Sequence, residues 1–166
     1  MPHSMKKLFK FVVLAVVAVG ICSCNDEYLS TPVIKIYNDV LVTHMDGSRD
    51  TTYYGDTLRV GDTALVMSSF HGVSHPLVYA KIESDPAALT CSFVCDSAFI
   101  KEFLEPDSRP EEGYMHFRQE AYVSTLWAVH RYVAKSTGEY TVTFSAESMA
   151  KEPYSHNSLE FKQVIR

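Results

Sequence analysis

Several things are scarce in this chain. Its 166 residues hold one tryptophan, four cysteines, seven glycines and seven prolines. No apolar run approaches the roughly 20 residues that a membrane-spanning helix needs; the longest, "FVVLAVVAVGI" from Phe11 to Ile21, is too short to span. There is no G-x-S-x-G elbow and no glycine-rich phosphate loop, so the sequence offers no recognisable nucleophile or nucleotide motif. Positive charge is also short: 15 Lys and Arg face 20 Asp and Glu, a net charge of −5. That balance argues against a nucleic-acid partner, whose phosphates must be met by Lys and Arg. It argues equally against a basic helix lying on a membrane surface. No internal repeat or low-complexity block is visible, and nothing in the sequence calls for a cofactor.

What positive charge there is at the start is placed to purpose. Lys6, Lys7 and Lys10 precede the apolar run with no acid among them, which is the layout of a secretory signal. Internal Met5 offers a second start, "MKKLFK". The run ends in "ICSC", Ile21 to Cys24, which resembles the lipobox of bacterial lipoproteins: an aliphatic residue, a variable one, a small one, then cysteine. The alternative frame "VGIC" places bulky Ile21 where a small residue is wanted. The resemblance implies cleavage after Ser23, loss of Cys22 with the signal, and acylation of Cys24. A cleaved signal without lipid is the plainer reading of the same residues. The following "NDE", Asn25 to Glu27, resembles the acidic tag of surface-exported lipoproteins of Bacteroidota. One acyl chain holds a protein marginally and two or more hold it stably, at roughly 0.8 kcal/mol per buried CH₂. The implied location is the cell envelope, on the outer membrane and at the cell surface, with the bilayer as partner through Cys24. Residues 1–23 then form the signal, 24–32 the lipidated cysteine and tether, and 33–166 a single domain. Without the three signal lysines, 12 basic residues remain against 20 acids, a net charge of −8.

After Pro32 the apolar residues recur mostly with period two, the mark of strands. "VIKIYN" and "VLVTHM" read as two strands or one long bent one; "DGSRD" is a turn. Leu58 and Val60 alternate with polar residues, and "TALVMSSF" reads as a strand buried on nearly both sides. "PLVYAKIES" and "ALTCSFVC" follow as strands. In "DSAFIKEFLEP" the rhythm changes: Phe99, Ile100, Phe103 and Leu104 form a helical stripe, Asp96 or Ser97 can cap it, and Pro106 ends it. A short helix over about 97–105 is expected. "EPDSRPEEG" is a polar loop, and "YMHFRQ" a further strand. "STLWAVHRYVAKSTGEYTVTFSAES" reads as two strands joined at Gly138 by a positive-φ turn, with Tyr140, Val142, Phe144 and Ala146 on one face. "SLEFKQVI" is the last strand. Short strands with frequent turns predict an all-β sandwich.

"TGEYTVTFSAES" followed by "SLEFKQVI", and "LRVGDTALVMSSF" earlier, resemble strands of PKD-like and other immunoglobulin-like bacterial domains. The resemblance implies an immunoglobulin-like antiparallel β-sandwich and transfers no active site. Tyr140 is either the tyrosine of an EF-type corner, bonded to nearby backbone, or a plain core residue. Cys91 and Cys95, four apart in one strand, lie roughly 13 Å apart and cannot bond. A turn at Cys95 leaves a disulfide open; as free thiols both read as small core side chains.

Candidate chemistry is thin. "HGVSH", His71 to His75, has the spacing of two metal ligands on a helix, but Gly72, Ser74 and Pro76 place it in a loop. Asp46, Asp50, Asp56, Asp62 and Glu111 recur in turns, where Asp bonds local backbone without any calcium. The better candidates for ligand binding are aromatic: Tyr53 and Tyr54 beside a Gly-Asp turn, and Tyr28, Tyr114 and Tyr154 near polar stretches. Exposed rings stack on sugars and anchor protein interfaces. Adjacent tyrosines in a strand point opposite ways, so one of Tyr53 and Tyr54 faces the core. Trp127, flanked by Leu126 and Val129, reads as core or interface. These features predict a non-catalytic binding module for a glycan or a partner protein. A structural accessory subunit of an uptake or adhesion complex and a small hydrolase are the alternatives.

Overall fold

The computed structural model describes residues 30–166. The expected signal with Cys22, the expected lipid attachment at Cys24 and the expected tether through residue 29, with Tyr28, lie outside the described residues.

Among the described residues, nine strands build two antiparallel sheets. One holds β1 (Val33–Thr43), β2 (Arg49–Tyr53), β3 (Thr63–His71), β5 (Leu89–Val94) and β7 (Thr125–Ala134), in the order β2-β1-β3-β7-β5. The other holds β4 (Leu77–Glu83), β6 (Tyr114–His116), β8 (Gly138–Ser148) and β9 (His156–Ile165), in the order β6-β4-β8-β9. The chain changes sheet at every step from β3 to β8. As a result β3 lies beside β7 in one sheet while β4 lies beside β8 in the other, and the two crossings interlock. This is the expected immunoglobulin-like antiparallel β-sandwich with a short inserted helix.

The filling between the sheets follows from alternation. Val66 and Phe70 from β3, Phe93 from β5 and Tyr132 from β7 meet Ile82 from β4 and Val142 and Phe144 from β8, all buried. Phe70 stacks on Phe144 across the layers at 6.3 Å between ring centres. Each such side chain contributes about 1.5–3 kcal/mol through burial. β1 is one strand with a register shift between Ile36 and Val40, where Asn38 and Asp39 fit a pleated ladder poorly. Tyr140 donates to the Thr137 carbonyl at 2.8 Å, the corner role of its two readings, and Gly138 carries the positive φ of the preceding turn.

The inserted helix α1 (Ser97–Phe103) starts where Asp96 Oδ1 accepts from the Phe99 amide at 2.7 Å. It stops short of residue 105 because Leu104 leaves to pair with Phe117. Phe99 and Phe103 pack on each other at 5.1 Å and against the core.

Four sequence expectations need correction. β3 is not covered on both sides: Leu65 is half-buried and Met67 is 46 % exposed. Leu58 forms a single parallel bridge to Ile165 and not a strand, because Gly61 turns the chain almost at once. Cys91 is buried in β5, but β5 ends at Val94 and the turn into α1 leaves Cys95 only half-buried; both thiols are free. Trp127 is not core: it is 61 % exposed.

Candidate functional site: the outer face of the five-stranded sheet

Register shows which side chains share the solvent face. Leu41 pairs with Leu65 and Leu65 with Arg131; Met67 pairs with Val129 and Val129 with Val94; Lys35 pairs with Ser69 and Ser69 with Trp127. Directly opposed residues point the same way, so these rows form one surface. The opposite phase of β7, Leu126, Ala128, His130, Tyr132 and Ala134, fills the core and forces Trp127, Val129 and Arg131 outward. Tyr53, 69 % exposed, stands on the same face, since Asp39 is its partner and Thr51 its period-two neighbour opposite Leu41.

The result is a sheet face that is largely apolar yet open. Leu41, Met67, Val94 and Trp127 are all exposed on it, with Leu65 and Val129 half-covered between them. Tyr37 stacks on Trp127 at 5.5 Å and 27°, and the His71 ring meets the indole edge-on at 6.3 Å. His71 is held by Ser69 and Thr125 hydroxyls at 3.1 and 3.2 Å. Polar side chains border and interrupt it: Lys35, Asp39 and Arg49 on β1 and β2, and Arg131 opposite Leu65 within the sheet. Contiguous apolar surface of this kind marks contact sites on soluble domains.

At its β5 margin the face falls into a cleft of about 220 Å³. Buried Met115, Leu126 and Ala128 line it, together with Val94, Phe99, Cys95, Asp96 and Trp127. Burial first, then the carboxylates of Asp96 and Glu111, push the Cys95 thiol above its ordinary pKa. Cys91, deeper, is pushed up to about 12 by burial.

The residues named from sequence are not gathered into one site. Tyr53 is on this face; Tyr54 turns inward, its ring 4.3 Å from Phe161, and burial raises its hydroxyl pKa. Tyr114 lies half-buried on the four-stranded sheet, 6.1 Å from Tyr79, and Tyr154 half-buried in the turn before β9. His71 ends β3 and His75 sits in the following loop, as expected of "HGVSH". Among the described residues no three His, Cys, Asp or Glu side chains gather as a metal set.

Two other histidine clusters stand out. His44 bridges Asp62 at 2.8 Å through Nδ1 and Asp50 at 3.0 Å through Nε2; these bonds, Asp50 first, raise its pKa. His130 is fully buried among Phe70, Phe93 and Phe144, with Nε2 against Ser68 Oγ, and burial lowers its pKa to about 3.

Of the two readings of Trp127, core and interface, only core fails; sequence left both open because both faces of β7 carry apolar side chains. The available clue was phase: Thr125 and Arg131 share the alternation of Trp127, whereas Leu126, Ala128, Tyr132 and Ala134 share the other.

No family model matches the chain, and no curated protein matches it. Among solved structures, a DUF4466 family protein from Parabacteroides merdae is similar at 12 % identity and a TM-score of 0.43, over 81 % of this chain and 43 % of that one. The C-terminal domain of the Streptococcus agalactiae AgI/II polypeptide BspA is similar at 10 % identity and 0.43, over 78 % and 49 %. A family 123 glycoside hydrolase from Clostridium perfringens is similar at 10 % and 0.42, over 82 % and 27 %. This chain spans less than half the length of each of the three.

Proposed function

We propose that the chain is an envelope lipoprotein, tethered through an acylated Cys24, whose sandwich is a non-catalytic module that docks a partner protein on the outer face of its five-stranded sheet. The observation that carries this reading is the open row Leu41, Leu65, Met67, Val129 and Val94, flanked by Trp127 and Tyr53. Flat aliphatic rows with aromatic anchors and a charged rim suit a protein contact; a glycan surface would set its rings among many hydroxyl-bonding groups. Catalysis finds little support. Both nitrogens of His44 are held by carboxylates, which leaves neither to act as a base. The Ser68–His130 pair is sealed in the core, out of reach of any substrate.

The aliphatic rows also favour a second reading, a permanent accessory subunit of an envelope complex. A photo-crosslinker at position 67, compared with one at 143 on the opposite sheet, separates these in cells. Crosslinks from 67 that survive detergent extraction as one stable complex indicate a subunit; transient ones indicate a docking module. Equal crosslinking from both positions, or none from 67, overturns the reading of this face. Mass spectrometry of the native N-terminus tests the anchor: diacylglycerol on the sulfur at 24 is expected, and a free thiol there removes the membrane placement.

A further inference from the structure

We propose that the cleft beside Trp127 receives an arginine side chain of the partner protein. This rests on the reading of the sheet face as a docking surface and names what the partner must present at its margin.

Size comes first. At about 220 Å³ the cleft is smaller than the roughly 300–1,000 Å³ of pockets that enclose whole drug-sized ligands, so it suits one side chain rather than a free metabolite. Its depth is apolar, lined by Met115, Leu126 and Ala128, which matches the methylene stem of a long side chain. The remaining lining supplies two features that a flat cation uses. Trp127 lines the cleft; Tyr37 already stacks against this indole and holds it in place, and a guanidinium lies well against an indole face. Asp96 lines it too: its Oδ1 is occupied as the cap of α1, and its Oδ2 has no protein partner among the described residues.

Charge points the same way. The lining includes one carboxylate and no Lys, Arg or His. Burial first, then the carboxylates of Asp96 and Glu111, disfavour a thiolate at Cys95, so two negative charges lie near the cleft wall. The bases of the sheet face do not line it: Lys35 shares the row of Trp127 but on the β1 side, away from β5, and Arg131 is four residues along β7. The whole chain is acidic, with a net charge of −5, which steers cations toward it. A neutral sugar would leave the carboxylate unpaired or ask one free oxygen to satisfy several hydroxyls; an anion would be repelled.

The test uses the full chain and its single tryptophan, whose fluorescence reports on the cleft without a label. N-acetyl-arginine amide is titrated against N-acetyl-citrulline amide, its neutral isostere, and against methyl β-glucoside. Alkylation of Cys95, read by peptide mapping, gives a second readout at the cleft wall. Arginine amide is expected to shift the emission and slow Cys95 alkylation, with citrulline amide about tenfold weaker. Asp96→Asn keeps an effective helix cap and is expected to lose about tenfold in arginine affinity. Trp127→Ala is expected to remove the protection of Cys95. Citrulline binding as well as arginine, saturation by the glucoside instead, or no response from any probe overturns the proposal. Crosslinking from position 67 that persists when arginine fails leaves the face reading standing and removes only the cleft. Arginine binding with no crosslinking from 67 does the reverse.

Discussion

The two outer faces of the sandwich are built by the same alternation and end up unlike. On the four-stranded sheet the solvent phase is polar almost throughout: Thr141, Thr143 and Glu147 on β8, Lys81 and Glu83 on β4, and Glu160 and Lys162 on β9. Both of its lysines are paired, Lys81 with Glu83 and Lys162 with Glu139. Its aromatic rings also have polar partners, with Tyr79 Oη bonded to His156 at 2.9 Å and His116 to Asp107 at 2.9 Å. That face is complete as a solvated surface. Among the described residues, the five-stranded face leaves Leu41, Met67, Val94 and Trp127 exposed, with only Tyr37 and His71 packed against the indole. A sheet needs one apolar face to fold; the second apolar face does nothing for the fold, and the proposed docking role is what would give it a use.

The core beneath both faces is the most sensitive point. Phe144 touches Phe70, His130 and Phe161, so Phe144→Ala is expected to cost about 3–5 kcal/mol and to erase both faces together, as urea denaturation will show. His130 comes next. It stays neutral in the fold down to about pH 3, while the unfolded chain protonates it near 6.5. Between those values only the unfolded state gains the proton. Stability therefore falls on acidification, on the order of 1 kcal/mol per pH unit, and His130→Gln should flatten that part of the urea-midpoint profile relative to the parent.

The faces themselves separate on a third measurement. Met67→Asp and Thr143→Asn are both surface changes, each expected to shift stability by less than about 1 kcal/mol; Asn avoids a like charge opposite Glu83 and Glu160. Only Met67→Asp is expected to weaken partner capture, by tenfold or more if it removes part of an anchor cluster, as competition against the parent protein will read. Equal losses from both would erase the distinction between the faces. The smallest effect belongs to the rim. His44 gains protonation from Asp50 and Asp62, so its folded pKa lies above 6.5. Its contribution is fully present below 6.5 and is lost as pH rises through the folded value, the opposite sense to His130. Titration of the His44 ring by NMR checks the direction, and His44→Gln should remove this part of the pH dependence.

Most elements of the sandwich were legible in advance. β8 announced itself through Tyr140, Val142, Phe144 and Ala146, and α1 through Asp96, the Phe99–Phe103 stripe and Pro106. β2 was less visible, because "RDTTY" has no apolar face of its own and is a strand only by pairing with β1. The site was legible in half. Tyr53 and Tyr54 were expected to diverge, and do. The sequence left Trp127 between core and interface and predicted β3 covered on nearly both sides, because apolar side chains in both phases are the usual mark of a central strand.

Sequence alone determined that the chain forms short antiparallel strands with a brief helix, and which residues alternate within each, because backbone period and turn chemistry are local. Tertiary structure alone decided which phase of β3 and β7 met the second sheet. Burial is a property of the partner layer, and β4, β8 and β9 could cover only one side. Trp127 is thus a surface residue by exclusion: the space between the sheets was filled by Phe70, Tyr132 and Phe144.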